Sequence, residues 1–147
     1  MPIDPAAFNR LTQKIIGAAI EVHRSLGPGL LESTYTQCLH IELTARKLRF
    51  EAQRSVPITY KGVTVDGCYR VDLVVEDLIV VEVKSTLGIL PVFESQVLTY
   101  LRLTGCPIGL LINFNVPKLI DGLKRKLNPR AHIPPGQSAP QWKQENL

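Results

Sequence analysis

Two apolar, β-branched runs set the terms for this chain: Val71-Asp72-Leu73-Val74-Val75 and, a short turn later, Leu78-Ile79-Val80-Val81-Glu82-Val83-Lys84. Segments this rich in valine and isoleucine form strands buried on both faces. Ionisable groups inside such strands are costly unless something compensates them, so Asp72, Glu82 and Lys84 need a reason to be there. Glu82 and Lys84 share a face, because strand side chains alternate with period two. Two carboxylates brought together repel and retain a proton unless a cation lies between them. An Asp, then Glu-x-Lys at the end of an apolar strand, supplies what a metal-dependent phosphodiesterase requires. The carboxylates are hard oxygen ligands for a divalent ion, and the ammonium stands beside the attacked phosphate.

Whether the carboxylates meet depends on one turn. A two-residue hairpin closed by Val75 and Leu78 would pair Asp72 with Val81 and turn it away from Glu82. A three-residue turn, Glu76-Asp77-Leu78, or a bulge sets Asp72 across from Glu82. Catalysis demands the odd count. The bland alternative is a strand-end ion pair between Asp72 and Lys84.

The rest of the chain frames these strands. Apolar residues at Leu11, Ile15, Ala18, Ala19, Val22 and Leu26 recur at helical spacing, broken by Gly27-Pro28-Gly29. A second helix is expected from Leu31 to Arg46, with Leu31, Tyr35, Cys38, Leu39 and Leu43 on one face. The period then changes to two: Val56–Tyr60 and Val63–Val65 flank Lys61-Gly62 as a hairpin, and strands near Cys68–Val75 and Leu78–Lys84 follow. Pro91 opens a third helix, Val92 to Leu103, stopped by Thr104-Gly105. Gly109–Asn113 is one more buried strand, and Pro117 to Leu127 a final short helix. The order α-α-β-β-β-α-β-α predicts an α/β fold with helices on both faces of a sheet. Residues 1–127 form the expected domain. Residues 128–147, proline-rich and without periodicity around His132 and Trp142, form an expected flexible tail.

With 147 residues, 45% of them hydrophobic, the chain can bury a real core. A net charge of +4 permits a polyanionic partner without demanding one. Lys118, Lys124, Arg125, Lys126 and Arg130 cluster near the end, a pattern that usually marks a solvated helix face. Cys38, Cys68 and Cys106 are odd in number and form no Cys-x-x-Cys pair, as expected of apolar thiols in a reducing cytosol. Met-Pro-Ile-Asp-Pro lacks the basic start and apolar core of a signal peptide, and no apolar run approaches the ~18 residues of a membrane span. A cytoplasmic protein without a membrane partner is expected.

Glu32 falls in the first turn of the second helix, where a carboxylate also favours the helix dipole. Tyr35 and Leu39, at i+3 and i+7, put it on the rim of the buried face, where it can act as a third oxygen ligand. Gln96 and Tyr100 are one turn apart on the third helix, within reach of a phosphate or a water. His23 is structural or a phosphate contact; His40 and His132 lack partners at metal-ligand spacing. Phosphate-loop, nucleophile-elbow and His-Glu-x-x-His motifs are absent.

Gly29-Leu30-Leu31-Glu32-Ser33-Thr34-Tyr35 resembles the signature of the small bacterial GxxExxY family, within the PD-(D/E)XK nuclease superfamily. Ile16 to Arg24, Tyr69-Arg70-Val71-Asp72, Glu82-Val83-Lys84, Glu94 to Leu101 and Leu111-Ile112-Asn113-Phe114-Asn115 carry the same resemblance, which spans about Leu11 to Leu127. Val71-Asp72 replaces the frequent Pro-Asp, which leaves the carboxylate in place. The resemblance implies a restriction-endonuclease-like core with a central four-stranded mixed sheet. It places Glu32, Asp72, Glu82 and Lys84 at active-site positions, with Gln96 in the helix that often adds a polar residue. A Mg²⁺-dependent nuclease follows as the expectation, with Mn²⁺ substituting. Asp72 and Glu82 would bind the ion, joined by Glu32. Lys84 would orient the attacking water and stabilise the transition state. His23, Arg24, Tyr35, Arg70 and Tyr100 are the expected substrate contacts, and DNA is favoured over RNA. A homodimer or a partner would be needed for strong sequence specificity. The alternative is a catalytically silent nucleic-acid-binding or assembly module on the same fold.

Overall fold

The computed structural model describes residues 5–65 and 69–129. Helix α1 (Pro5–Leu26) buries Phe8, Ile15, Ala18, Ala19 and Val22 along one stripe. It stops at Gly27, whose left-handed φ of 70° lets its N–H reach the His23 carbonyl at 2.7 Å. Helix α2 (Glu32–Ala45) buries Tyr35, Leu39 and Leu43, one residue per turn. Helix α3 (Pro91–Thr104) starts on a proline and ends at Gly105, in the left-handed conformation.

Among the described residues, five strands form one sheet: β1 (Phe50–Ser55), β4 (Arg70–Val75), β5 (Ile79–Lys84), β6 (Ile108–Asn113) and β7 (Leu123–Leu127), in the spatial order β1-β4-β5-β6-β7. Strands β5 and β6 run parallel, with α3 between them in the chain; the other neighbours are antiparallel. The hairpin of β2 (Ile58–Tyr60) and β3 (Val63–Val65) stands apart as a two-stranded sheet. Its Lys61-Gly62 turn has φ of 49° and 77°, which matches the strand twist.

The core lies in two layers. Leu73, Val75, Ile79, Val81, Val83, Ile108, Leu110 and Ile112 pack against α1 and α2. On the other face Val74, Val80 and Leu111 pack against Val97, Tyr100 and Leu101 of α3. Gly109 sits under α3, where a Cβ would come within 2.5 Å of Val97 Cγ1.

The mixed sheet with helices on both faces is as expected, but the strand count is not four, and the order is α-α-β-β-β-β-β-α-β-3₁₀-β. Strand β1 was not foreseen. The expected helix over Pro117 to Leu127 is a 3₁₀ turn (Leu119–Gly122) followed by β7. A helix cannot form there without losing the ladder by which β7 closes the edge of β6. Gly122 also lies against the Asn113 carbonyl so closely that any Cβ would collide with it. The basic residues Lys124, Arg125 and Lys126 therefore mark an edge strand, where charge discourages further pairing, and not a helix face. Lys126 also pairs with Glu94 of α3 at 2.6 Å.

Cys38 and Cys106 are free thiols; Cys68 lies outside the described residues. Asn128 is buried, and its Nδ2 donates to the carbonyls of Leu101 and Cys106 at 3.0 Å, so the fold continues past residue 127. Arg130, His132, Trp142 and the rest of the expected tail lie outside the described residues. Among those described, no helix is long and apolar enough to cross a membrane.

Candidate active site

The β4–β5 connection decides the geometry. Glu76 and Asp77 adopt φ of 53° and 55°, and the Leu78 N–H closes the turn onto the Val75 carbonyl at 3.0 Å. Leu78 stays outside the ladder, so Val75 pairs with Ile79, Val74 with Val80 and Leu73 with Val81. The ladder ends there, and Asp72 and Glu82 are the next residues beyond it on their two strands. The odd count that the catalytic reading demands is the one present, with Glu76-Asp77-Leu78 between Val75 and Ile79.

Beyond Leu73 the two strands exchange side chains for backbone. The Asp72 N–H donates to Glu82 Oε1 at 2.9 Å, and the Val83 N–H donates to Asp72 Oδ2 at 2.9 Å. Glu82 is only 4% exposed. Its pKa is pushed up to about 8, first by burial and then by the charge on Asp72. The Asp72 N–H and the Lys84 ammonium pull the other way without cancelling this. Two carboxyl groups thus share a site that disfavours a second negative charge.

The neighbours come from three elements. Glu32, exposed at the start of α2, is raised by partial burial of its carboxylate, lowered by Lys84 and raised by Asp72, so both groups lie within electrostatic reach. Glu32 and Asp72 line a cavity of about 400 Å³ with Ser33, Thr36, Gln37 and Gln53. From α3, the Gln96 amide donates to the Tyr100 hydroxyl at 3.1 Å. Tyr100 is buried, and its phenol is raised by burial first and by the charge of Glu82 second, which places the pair against the acid cluster.

Asp72, Glu82 and Lys84 are brought together, with Glu32 across the cavity. Among the described residues no group of three or more His, Cys, Asp or Glu is close enough to hold a metal ion, so Glu32 does not complete a three-carboxylate cluster with the pair. The donor chemistry of the pair still suits a hard divalent cation: both groups offer oxygen, and their mutual repulsion is what a cation between them relieves.

Two expected substrate contacts serve the scaffold instead. Tyr35 is fully buried; its hydroxyl donates to the Gly27 carbonyl at 2.5 Å and accepts the Leu30 N–H at 3.1 Å, while its ring stacks on Phe114. His23 is buried, with Nε2 2.7 Å from the Val116 carbonyl. Arg24 is exposed and paired with Glu21 at 2.7 Å. Arg70 is exposed at the start of β4, two residues before Asp72. His40 stacks on Phe50, and burial lowers its pKa against the pull of Asp72.

Sequence reasoning assigned no role to the residues that fix the loops around the site. Ser85 Oγ donates to the Leu30 carbonyl at 2.6 Å and joins the loop before Glu32 to the loop after Lys84. Asn113, 1% exposed, accepts the N–H groups of Thr86 and Asn115 and donates to the Thr86 carbonyl. Asn115 donates to that same carbonyl at 3.1 Å. The one available signal was a polar residue ending the apolar run Leu110-Leu111-Ile112-Asn113.

A strand-turn-strand unit carrying Asp and Glu-x-Lys, in a mixed sheet flanked by helices, defines a nuclease-like class of fold and site. The family description of the PD-(D/E)XK nuclease superfamily matches residues 9–126, and the chain belongs to that superfamily. Its members are in general phosphodiesterases acting on nucleic acid. No match to the chain was found among curated proteins or among solved structures.

Proposed function

We propose that this chain is a Mg²⁺- or Mn²⁺-dependent nuclease of the GxxExxY type that hydrolyses phosphodiester bonds, with DNA favoured over RNA. The observation that carries it is the Asp72–Glu82 pair. Two carboxyl groups in an apolar sheet, one pushed up to about 8, destabilise the fold in a way that a bound cation offsets.

Asp72 and Glu82 would hold the ion, with Glu32 reaching it through water. When bound, a divalent ion supplies Lewis-acid stabilisation of the charge that builds up on the phosphate. Lys84, on the same strand face as Glu82, orients the attacking water and sets a positive charge where the pentavalent transition state gathers negative charge. Gln96, hydrogen-bonded to Tyr100 on α3, would set its amide near the phosphate or the attacking water. The protein is taken to act in the cytoplasm, and as a homodimer if its cleavage proves sequence-specific.

The test is cleavage of single-stranded, duplex and branched DNA and of RNA, with Mg²⁺ or Mn²⁺ and with a chelator. Cleavage should require the ion and vanish in Glu82→Gln. Binding to these substrates with no cleavage of any would replace the nuclease by a catalytically silent nucleic-acid-binding or assembly module.

A further inference from the structure

Five non-glycine residues among those described have positive φ. Lys47 follows α2, and Lys61, Glu76 and Asp77 sit in hairpin turns, where the left-handed conformation closes the chain. Gln53 is different: with φ of 55° it lies inside strand β1, where extended backbone is the rule. A side chain in that region crowds the following carbonyl. No packing offsets this, since Gln53 is exposed and belongs to neither apolar cluster. Strain without local compensation collects at functional sites.

The position of Gln53 is specific. Ala52 pairs with Leu73 and Arg54 with Val71, which sets Gln53 opposite Asp72. Its Nε2 lies 3.5 Å from Asp72 Oδ1, at the outer limit of a hydrogen bond, while Oδ2 accepts the Val83 N–H. Both residues line the cavity that Glu32 faces.

We propose that Gln53 is a positioning residue for Asp72. The bend in β1 aims its carboxamide at Oδ1, so that the carboxylate is held from both sides and keeps one Oδ1 lone pair turned to the cavity. This inference rests on the nuclease site proposed above.

Gln53→Gly removes the carboxamide and also relieves the strain, because glycine adopts positive φ freely. Gln53→Glu keeps the shape and puts a like charge beside Asp72. Four readouts are compared: melting of the metal-free protein, the Mn²⁺-induced rise in melting temperature, cleavage rate, and the Gln53 side-chain amide signals in NMR. Gln53→Gly should melt at or above wild type yet lose most of the Mn²⁺ response and at least tenfold in cleavage. Gln53→Glu should lose as much or more. The wild-type amide signals should move when Asp72→Asn is made. Gln53→Gly that cuts at the wild-type rate, or that melts well below wild type, would overturn the assignment, as would amide signals indifferent to Asp72→Asn. If wild type neither cuts nor responds to Mn²⁺, the nuclease proposal fails, and metal-free melting with the amide signals still decides the role of Gln53.

Discussion

The Lys84 ammonium stands 4.7 Å from the centre of the Phe93 ring. An aromatic face attracts a cation without accepting a conventional hydrogen bond, so the three N–H donors stay available to carboxylates and substrate. The charge of Lys84 acts on Glu32 and Glu82, lowering both. Lys84→Ala removes no metal ligand, so divalent-ion affinity by calorimetry should hold or rise. Single-turnover cleavage should fall by roughly a hundredfold or more, since the role proposed for the lysine is to act on charge that develops in the transition state. Phe93→Leu keeps the apolar bulk and loses only the ring face, worth about 0.5–1 kcal/mol, so a several-fold loss is expected. A Lys84→Ala enzyme as fast as wild type would sink the mechanism.

Glu82 makes stability depend on pH with a definite sign. Its pKa is about 8 in the folded chain against an ordinary 4.5, so the folded state binds this proton more tightly than the unfolded state. The resulting stabilisation is complete below pH 4.5 and is lost as pH rises through about 8. The metal-free protein should therefore weaken across that window, by at most about 1.4 kcal/mol per pH unit for one proton. Glu82→Gln should remove this slope and exceed wild type in stability at the alkaline end. Parallel denaturation curves for the two proteins across the window would mean that Glu82 does not carry the proton.

Metal binding should act on the same pair from the other side. An ion that binds only the native state stabilises it by about 2.7 kcal/mol at a hundred times its Kd, so Mn²⁺ should raise the melting temperature with concentration. The rise should be larger near pH 8 than near pH 6, because the ion must displace the Glu82 proton. Asp72→Asn should abolish the rise while stabilising the metal-free fold by removing repulsion. An equal rise in wild type and Asp72→Asn would place the ion elsewhere.

The parts of this site that were legible in sequence are those where charge interrupts an apolar pattern. Asp72, Glu82 and Lys84 stand out within valine-rich strands, but their register stayed open between a two-residue and a three-residue turn, which residue type alone does not decide. Helices α1 to α3 were legible from periodicity. Strand β1, Phe-Glu-Ala-Gln-Arg-Ser, was not, because an edge strand that buries little shows no apolar alternation. Strand β7 reads as helix in isolation and becomes a strand only by pairing with β6. Asn113 is neutral and Gln53 ordinary; burial marks the first and a backbone angle the second, and neither is written in residue type. Tyr35, which sequence assigned to substrate, shows the reverse error, since a motif residue can serve the loop and not the ligand.

Tyr35 supports the last prediction. Its hydroxyl holds the Gly27 carbonyl and the Leu30 N–H, and the Leu30 carbonyl in turn receives Ser85 Oγ beside Lys84. The loop that presents Glu32 is thereby tied to the strand that carries Glu82 and Lys84. Tyr35→Phe keeps the stack on Phe114, at 4.5 Å between ring centres, and deletes only the hydroxyl. The lost hydrogen bonds should cost about 1–2 kcal/mol, and each kcal/mol lowers the melting temperature of a chain of this size by roughly 2–4 °C. Ser85→Ala cuts the same tie from the other end, so the two changes should be less than additive in a double-mutant cycle on cleavage rate. Because Asp72 and Glu82 are untouched, the Mn²⁺-induced rise in melting temperature should survive in both variants while cleavage falls several-fold. Unchanged cleavage in the double variant would show that the tie between Leu30 and Ser85 holds the loop without setting the site.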